Sequence, residues 1–307
     1  MGFGYGDTSL PNAWGLSHFS AIQRSTSFQL KLCIDNNPET LKNFESAYGI
    51  TTSQTVATFP GLSPDLVIIA TPIDTHLNMV REVVKWLKPK IIILEKPAAR
   101  NFKEVQDILR ITSNCKIPVI LNYPRRYSEG AIEVKEMILS KKIQIPAQSL
   151  IRCVPDLLNN GIHFLDLMEF WFGKLAFDKK NYQMPKKSSY HFSNKDVEIH
   201  FIESSPLPYS HYSIDILFQN GRLEVGPRDF GFLWHPIVND IFYDGHFVIS
   251  EKFEKYEMRI NDLQNNLLTQ IAEWLDGKRQ DIYTLEDSLN NYKILFQATR
   301  FHKEYHE

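Results

Sequence analysis

Cysteine is scarce in this chain, with three among 307 residues, at positions 33, 115 and 153. An odd, widely spaced set without a CxxC pair makes neither a disulfide framework nor a thiolate metal site, and fits the reduced thiols of a cytoplasmic protein. No apolar run reaches the roughly 18 residues that a membrane span requires. The opening residues MGFGYGDTSLPN hold no basic stretch followed by an apolar one, so no signal peptide is expected. Charge of one sign is not in excess either. The 34 basic and 36 acidic residues leave a net charge of −2, which gives no electrostatic reason to expect nucleic acid or an anionic membrane as partner. His191, His200 and His211 lack tight ligand spacing, and no metal is assigned. Internal repeats and low-complexity linkers are missing as well. What is present is ordinary for a globular protein: 43% hydrophobic and 23% charged residues, in a length that can bury two cores.

The first ~120 residues alternate strand and helix patterns. FQLKLCID (28–35) is apolar and ends in an acid. PETLKNFESAYG (38–49) has helical spacing and closes on Gly49, where a helix stop is expected. DLVIIAT (65–71) and KIIILEKP (90–97) are continuous apolar runs, as in strands buried on both faces. THLNMVREVVKWL (75–87) and NFKEVQDILRIT (101–112) read as amphipathic helices, and IPVILNY (117–123) as a further strand. This rhythm implies a doubly wound parallel sheet, a Rossmann-like α/β domain over residues 1–122. The remainder, 123–307, reads as an α+β domain with a mostly antiparallel sheet. It begins with a helix near 128–140, a strand at 146–154 and a helix from Gly161 to about Trp171. Residues ~180 to ~260 are strand-rich. HYSIDILFQNGRLEV alternates around Asn220-Gly221, which predicts a hairpin with a type I′ turn. Two helices close the chain, the last opened by Thr284 with Asp287 three residues on, a capping-box-like start.

Gly2, Gly4 and Gly6 resemble a dinucleotide-binding turn, where glycines let the backbone approach a pyrophosphate at a helix N-terminus. The spacing is GxGxG rather than GxGxxG, and only Met1 precedes it, so the first strand of such a domain is expected to be missing or to precede the recorded start. Ser17 is the expected N-cap of the first helix. Asp35, at the end of the next strand, stands where an acid bonds the ribose 2′-hydroxyl of NAD and repels the 2′-phosphate of NADP. It can equally cap the turn before Pro38.

Three further segments, taken in order, resemble the glucose–fructose oxidoreductase and inositol dehydrogenase family (Gfo/Idh/MocA). Ala70-Thr71-Pro72-Ile73-Asp74-Thr75-His76 is similar to the family's TPxxxH turn. Glu95-Lys96-Pro97 matches its EKP motif. Asn160-Gly161-Ile162-His163-Phe164-Leu165-Asp166 resembles the GxHxxD start of its catalytic helix. Asn122-Tyr123-Pro124-Arg125-Arg126-Tyr127 looks like the crossover into its second domain, and TLEDSL (284–289) has the family look.

The resemblance implies a site. Gly2, Gly4, Gly6, Asp35, Thr71, Pro72, His76, Glu95 and Lys96 are expected at the cofactor, NAD with NADP possible. Lys96 lies just past a buried strand, where partial desolvation and a cationic nicotinamide lower a lysine pKa toward neutrality, as proton exchange with an alcohol requires. The family often has a cis bond before the proline of this motif, and a cis Lys96–Pro97 bond is expected. His163 is expected to face the substrate hydroxyl as acid, base or donor. Asp166, one turn on, is expected to orient that imidazole or cap the substrate pocket. Asn159 departs from inositol-dehydrogenase-like members, which carry a catalytic aspartate there. An amide can bond a sugar hydroxyl but cannot take its proton, and Asp156 is wrongly spaced to replace it. Asn159, Asp166, Tyr123 and Arg126 are expected at the substrate. Arg125 and Arg126 suit an anionic group or an exposed helix start. Trp234 and His235 fit core packing better than a pocket wall.

The expected function is an NAD(P)-dependent oxidoreductase moving a hydride between nicotinamide and a secondary alcohol or ketone of a sugar, polyol or sugar nucleotide. Two other functions fit the same fold: a non-turning NAD-binding sensor, and an NAD-dependent glycoside hydrolase or eliminase with an internal redox cycle. The family resemblance also implies a homo-oligomer through the second domain's sheet.

Overall fold

The computed structural model describes residues 17–154, 157–178, 189–204, 207–209, 211–225 and 231–306. The expected glycine turn (Gly2, Gly4, Gly6) and Asp156 lie outside them. The chain divides into two compact units, one of residues up to Pro124 together with Asn261–Leu289, the other of Arg125–Ile260 with the residues from Asn290 on.

In the first unit helix α1 (His18–Arg24) is capped by Ser17, whose hydroxyl accepts from the Ser20 N–H. Strand β1 (Leu32–Ile34) pairs in parallel with β2 (Thr51–Ser53) across helix α2 (Pro38–Tyr48). Helix α2 starts where Asn37 accepts from two backbone N–H groups. It stops at Gly49, whose φ of 63° is the left-handed conformation that glycine adopts without steric cost. Strands β3 (Leu66–Ile69), β4 (Ile91–Leu94) and β5 (Val119–Leu121) form a second parallel ladder, connected by helices α3 (His76–Trp86) and α4 (Phe102–Asn114). All four β4 residues are fully buried, as a continuous aliphatic run in a sheet covered on both sides demands.

The sequence placed everything after 123 in one domain; the fold does not. Asn261–Leu289 belongs with the first unit. Helix α7 (Leu263–Leu275) packs on α1 through its buried Leu263, Leu267, Leu268 and Ile271. Arg24 bonds Asp262 and the Asn261 carbonyl, and the Leu285 N–H bonds the Val119 carbonyl. An amphipathic stripe records that a helix has a face to bury, not which surface receives it.

The second unit is built on helix α5 (Glu129–Leu139), strand β6 (Ala147–Val154) and helix α6 (Ile162–Phe172). Then come β7 (Ala176–Phe177), β8 (Ser189–Ser193), β9 (Val197–Glu203), β10 (His211–Phe218), β11 (Gly221–Val225), β12 (Phe232–Asn239), β13 (Phe247–Ile249) and β14 (Glu254–Tyr256), before helix α8 (Leu289–His306). Among the described residues these strands make a nine-stranded sheet ordered β13-β12-β11-β10-β6-β9-β8-β7, with β14 also on β12. Its pairs are antiparallel except β6 with β9. Helix α6 is buried along almost its whole length, and the Trp171 indole donates to the Ala131 carbonyl of α5. At the far edge the β12–β13 ribbon exposes Ile241, Phe242, Tyr243 and Phe247.

The expected hairpin turn is shifted by one residue. Phe218 pairs with Gly221, so the two-residue loop is Gln219-Asn220, and neither Asn220 nor Gly221 has positive φ. Packing explains both residues. A Cβ at Gly221 would overlap the Trp234 indole, while the Asn220 amide donates to the Lys142 carbonyl and accepts from the Gln144 N–H. At the other end the Thr284 N–H and hydroxyl both bond Asp287, but the pair closes a turn rather than opening the last helix as expected, and α8 begins only at Leu289. Among the described residues no helix is long and apolar enough to cross a membrane, and no group of three or more His, Cys, Asp or Glu could hold a metal ion.

Candidate active site

The C-terminal ends of parallel strands, where their carbonyls point and loops begin, are where open α/β sheets place their chemistry. In the first unit Asp35 follows β1, Thr71 follows β3, Glu95 and Lys96 follow β4, and Asn122 follows β5. Asp35 is held by its neighbours: its N–H donates to the Ser53 carbonyl and its carboxylate accepts from the Asn37 N–H at 2.8 Å.

The Thr71 turn is locked by side chains. The Thr71 and Thr75 hydroxyls lie 2.7 Å apart, and the Thr75 N–H bonds the Pro72 carbonyl. His76 is buried, with Nε2 2.8 Å from the Thr71 carbonyl oxygen and Nδ1 3.1 Å from that of Ala98. Both ring nitrogens therefore face backbone carbonyls, and the one that carries the proton donates. The geometry makes His76 a tie between the Thr71 turn and the segment after Pro97, which fixes two candidate loops against each other. The Lys96–Pro97 bond is cis.

The least anticipated member is His18. Its Nε2 lies 2.7 Å from Glu95 Oε1, and Asn122 Nδ2 donates to the same oxygen at 2.7 Å. The other carboxylate oxygen accepts from the Lys96 N–H at 3.3 Å. Burial pushes the Glu95 carboxyl up, but the His18 and Asn122 bonds and the charges of His18 and Lys96 outweigh it and hold the group below its usual value. Glu95 is thus a fixed carboxylate whose position sets the backbone of Lys96. Nothing in the local pattern around His18 marks it, because its partner is 77 positions away; the only cue was its place beside a helix cap.

Replacing His18 by leucine removes one charge-assisted bond and should cost about 1.5–3 kcal/mol at neutral pH. A depressed carboxylate contributes stability above its unfolded pKa and loses it as pH falls through the folded value. The difference between wild type and variant in urea midpoint should therefore be wide at pH 7 and close toward pH 3. An equal gap at both would remove the carboxylate from the account.

In the second unit a single π turn, Leu157–Gly161, precedes α6. Such turns are rare and recur at functional sites. Asn159 is exposed on it, and the buried His163 is the second residue of α6, two after Gly161. Gly161 leaves no room for a side chain, since a Cβ would come within 2.7 Å of the Phe201 ring and 2.8 Å of Leu157.

Asp166, Arg126 and Tyr123 stand differently from the expectation. Tyr123 is 1% exposed, in the core. Arg126 and Asp166 are 4% and 1% exposed, and Arg126 Nε is 3.2 Å from Asp166 Oδ2. The guanidinium also lies 5.1 Å from the Phe170 ring. The aspartate neutralises the arginine where neither meets solvent, so the geometry gives this pair an internal role in joining the crossover to α6. Burial raises the Asp166 carboxyl to about 7, against the pull of Arg126 and with a further push from Glu169. Trp234 is buried against Phe218, and His235 Nδ1 faces the Ser250 carbonyl.

Residues 7–123 match the model of the "Oxidoreductase family, NAD-binding Rossmann fold" (Gfo/Idh/MocA). A curated relative, inositol 2-dehydrogenase of Rhizobium meliloti (strain 1021), is 25% identical over 124 residues, 40% of this chain and 37% of the relative. The match thus spans little more than a third of that protein. Solved structures cover nearly the whole chain. An oxidoreductase from Agrobacterium radiobacter in complex with NAD+, L-tartaric acid and magnesium superposes with a TM-score of 0.67 at 16% identity, covering 95% of each chain. The WlbA dehydrogenase from Bordetella pertussis, in complex with NADH and UDP-GlcNAcA, gives 0.68 at 14%, covering 94% of this chain and 93% of its own. A super-repressor mutant of Gal80p from Saccharomyces cerevisiae gives 0.72 at 14%, covering 95% and 93%. At these identities the structures establish a shared fold: a Rossmann-type domain with a parallel sheet, followed by a domain with a mostly antiparallel sheet.

Proposed function

We infer, from the match of residues 7–123 to the model of the Gfo/Idh/MocA oxidoreductase family, that this chain is an NAD-dependent dehydrogenase or reductase acting on a secondary alcohol or ketone of a sugar-like molecule. The observation that carries the reading is the Glu95 network, which fixes a lysine at the end of a buried parallel strand. The residues present suit a dinucleotide. A carboxylate ends β1, a hydroxyl-bearing turn follows β3, and the buried Asn122 Oδ1 meets no donor among the described residues. Asp35 would hold the adenosine ribose, with the Thr71–Pro72 turn and the Glu95–Lys96 segment toward the nicotinamide half. When bound, NAD supplies the hydride acceptor.

The chain supplies the proton chemistry. Lys96 takes the hydroxyl proton as the carbon loses hydride, and returns it in the reverse direction. Glu95, held charged, orients the lysine backbone and balances its ammonium form. In the second unit His163 is assigned to the substrate as a hydrogen-bonding or proton-exchanging group.

Titration of NAD and NADP with growth or loss of reduced-nicotinamide absorbance, over a panel of sugars and polyols, tests the reading; no binding of either dinucleotide would end it. Within it, Asp35→Ala should weaken NAD by about ten- to a hundredfold, the loss of a charge-assisted bond of about 1.5–3 kcal/mol, and narrow the preference over NADP. Unchanged affinity for both would remove Asp35 from the ribose.

One observation favours a second reading, an NAD-binding regulator without turnover. Asn159, which cannot accept a proton from a hydroxyl, stands exposed on the π turn, at the position where the resemblance implies a catalytic aspartate in inositol-dehydrogenase-like members. Tight NAD binding with no substrate oxidised or reduced would select it.

A further inference from the structure

Two adjacent arginines in the second unit are treated in opposite ways. Arg126 is fully buried and neutralised by Asp166. Arg125 is half-buried, and among the described residues no carboxylate stands within ion-pair distance of it. Its guanidinium carbon lies 5.3 Å from the Phe164 ring centre and 5.4 Å from that of Tyr212. The two rings are 4.9 Å apart at 36°. Tyr212 also favours the charged form of Arg125. Phe164 is the residue after His163 on the first turn of α6, and Tyr212 lies on β10, paired with Cys153 of β6.

The cation is therefore held in a defined place by aromatic faces and one phenol, all of which leave its charge in being. Burial lowers the Arg125 pKa, with only the Tyr212 contacts and Cys153 acting the other way. An aromatic contact contributes about 0.5–2 kcal/mol to a cation, while the desolvation of an unpaired charge costs several kcal/mol. Among the described residues one arginine is paired internally while its neighbour has no counter-charge and sits on the ring of the residue that follows a candidate substrate histidine, as a charge kept for a ligand would. The planar fork of a guanidinium matches carboxylate and phosphate oxygens with two parallel hydrogen bonds.

We propose that Arg125, seated on Phe164 and Tyr212, is an anion-recognition site that selects substrates bearing a carboxylate or phosphate group over neutral polyols. The inference rests on the reading of the α6 start as the substrate side and narrows the substrate class of that reading to acidic sugars. Arg126 does not share the role, because it is buried with Asp166 3.2 Å away.

Calorimetric binding to the NAD-loaded full chain, at 50 and 300 mM salt, tests this with glucuronate, glucose 6-phosphate and glucose as probes. At least one of the two anions should bind ten times or more tighter than glucose, with the advantage shrinking at high salt. Glucuronate ahead assigns a sugar carboxylate, and glucose 6-phosphate ahead assigns a phosphate. Arg125→Met, which keeps the stem on the two rings, should erase the preference, and Arg125→Lys should keep part of it. Equal affinity for all three probes in the wild type, or a preference that survives Arg125→Met, overturns the proposal. Should the methionine variant unfold, the salt dependence of the wild type still decides. Because binding is read without turnover, an anion preference stands whether or not a probe is oxidised, and loss of dinucleotide binding, which ends the dehydrogenase reading, is measured separately.

Discussion

Replacing Lys96 by methionine should lower kcat/KM by about 10²- to 10⁴-fold, the usual contribution of a positioned proton-transfer group, while leaving the dissociation constant for NAD within a few-fold. The reasoning starts at β4. Its four aliphatic residues are completely buried, so the strand end is rigid. The residue before the lysine is clamped by His18 and Asn122, and it bonds the Lys96 N–H. A group anchored this firmly contributes position as well as basicity, and a one-ångström error in position alone can cost a hundredfold in rate. Methionine keeps the length of the stem and removes the ammonium, so the cofactor surface is preserved. Steady-state rates and a fluorescence titration of NAD on the same preparation separate the two effects. A variant that turns over normally, or one whose main defect is loss of NAD binding, would contradict the proton-transfer role.

The largest effect on stability is expected at Asp166. At pH 8, where its carboxylate is ionised beside Arg126, Asp166→Leu leaves a buried guanidinium without its counter-charge and should cost about 3–5 kcal/mol. Arg126→Met combined with Asp166→Leu should recover most of that loss, because an apolar pair of similar volume removes both desolvation terms at once. Chemical denaturation of the two single variants and the double variant measures the coupling. Additive losses would mean that the 3.2 Å contact carries no energy of its own.

The same carboxyl gives a pH signature. Its folded value of about 7 lies above the roughly 3.9 of an unfolded aspartate, so between those values the native state binds more protons than the unfolded state. The contribution is complete below pH 4 and lost as pH rises through 7. Burial raises Glu169 in the same direction. Asp166→Asn should flatten the fall in stability between pH 5 and 8, and an unchanged slope would locate the titration elsewhere.

The sequence alone determined the elements that obey short-range rules. Gly49 ended α2, Ser17 capped α1, Asp287 met Thr284, and the aliphatic runs at 65–71 and 90–97 became parallel strands, the second wholly buried and the first buried only at Ile69, because caps and hydrophobic periodicity are properties of neighbouring residues. Only the tertiary structure decided matters that depend on residues distant in the chain. It chose His18 as partner of Glu95, paired Arg126 with Asp166 rather than leaving both for substrate, and returned Asn261–Leu289 to the first unit. It also moved the hairpin loop to Gln219-Asn220, because the Trp234 indole needs the space that a glycine at 221 leaves open. In each case the local pattern stated that a group must be buried or bonded, and the choice of partner was made by packing between elements far apart in sequence.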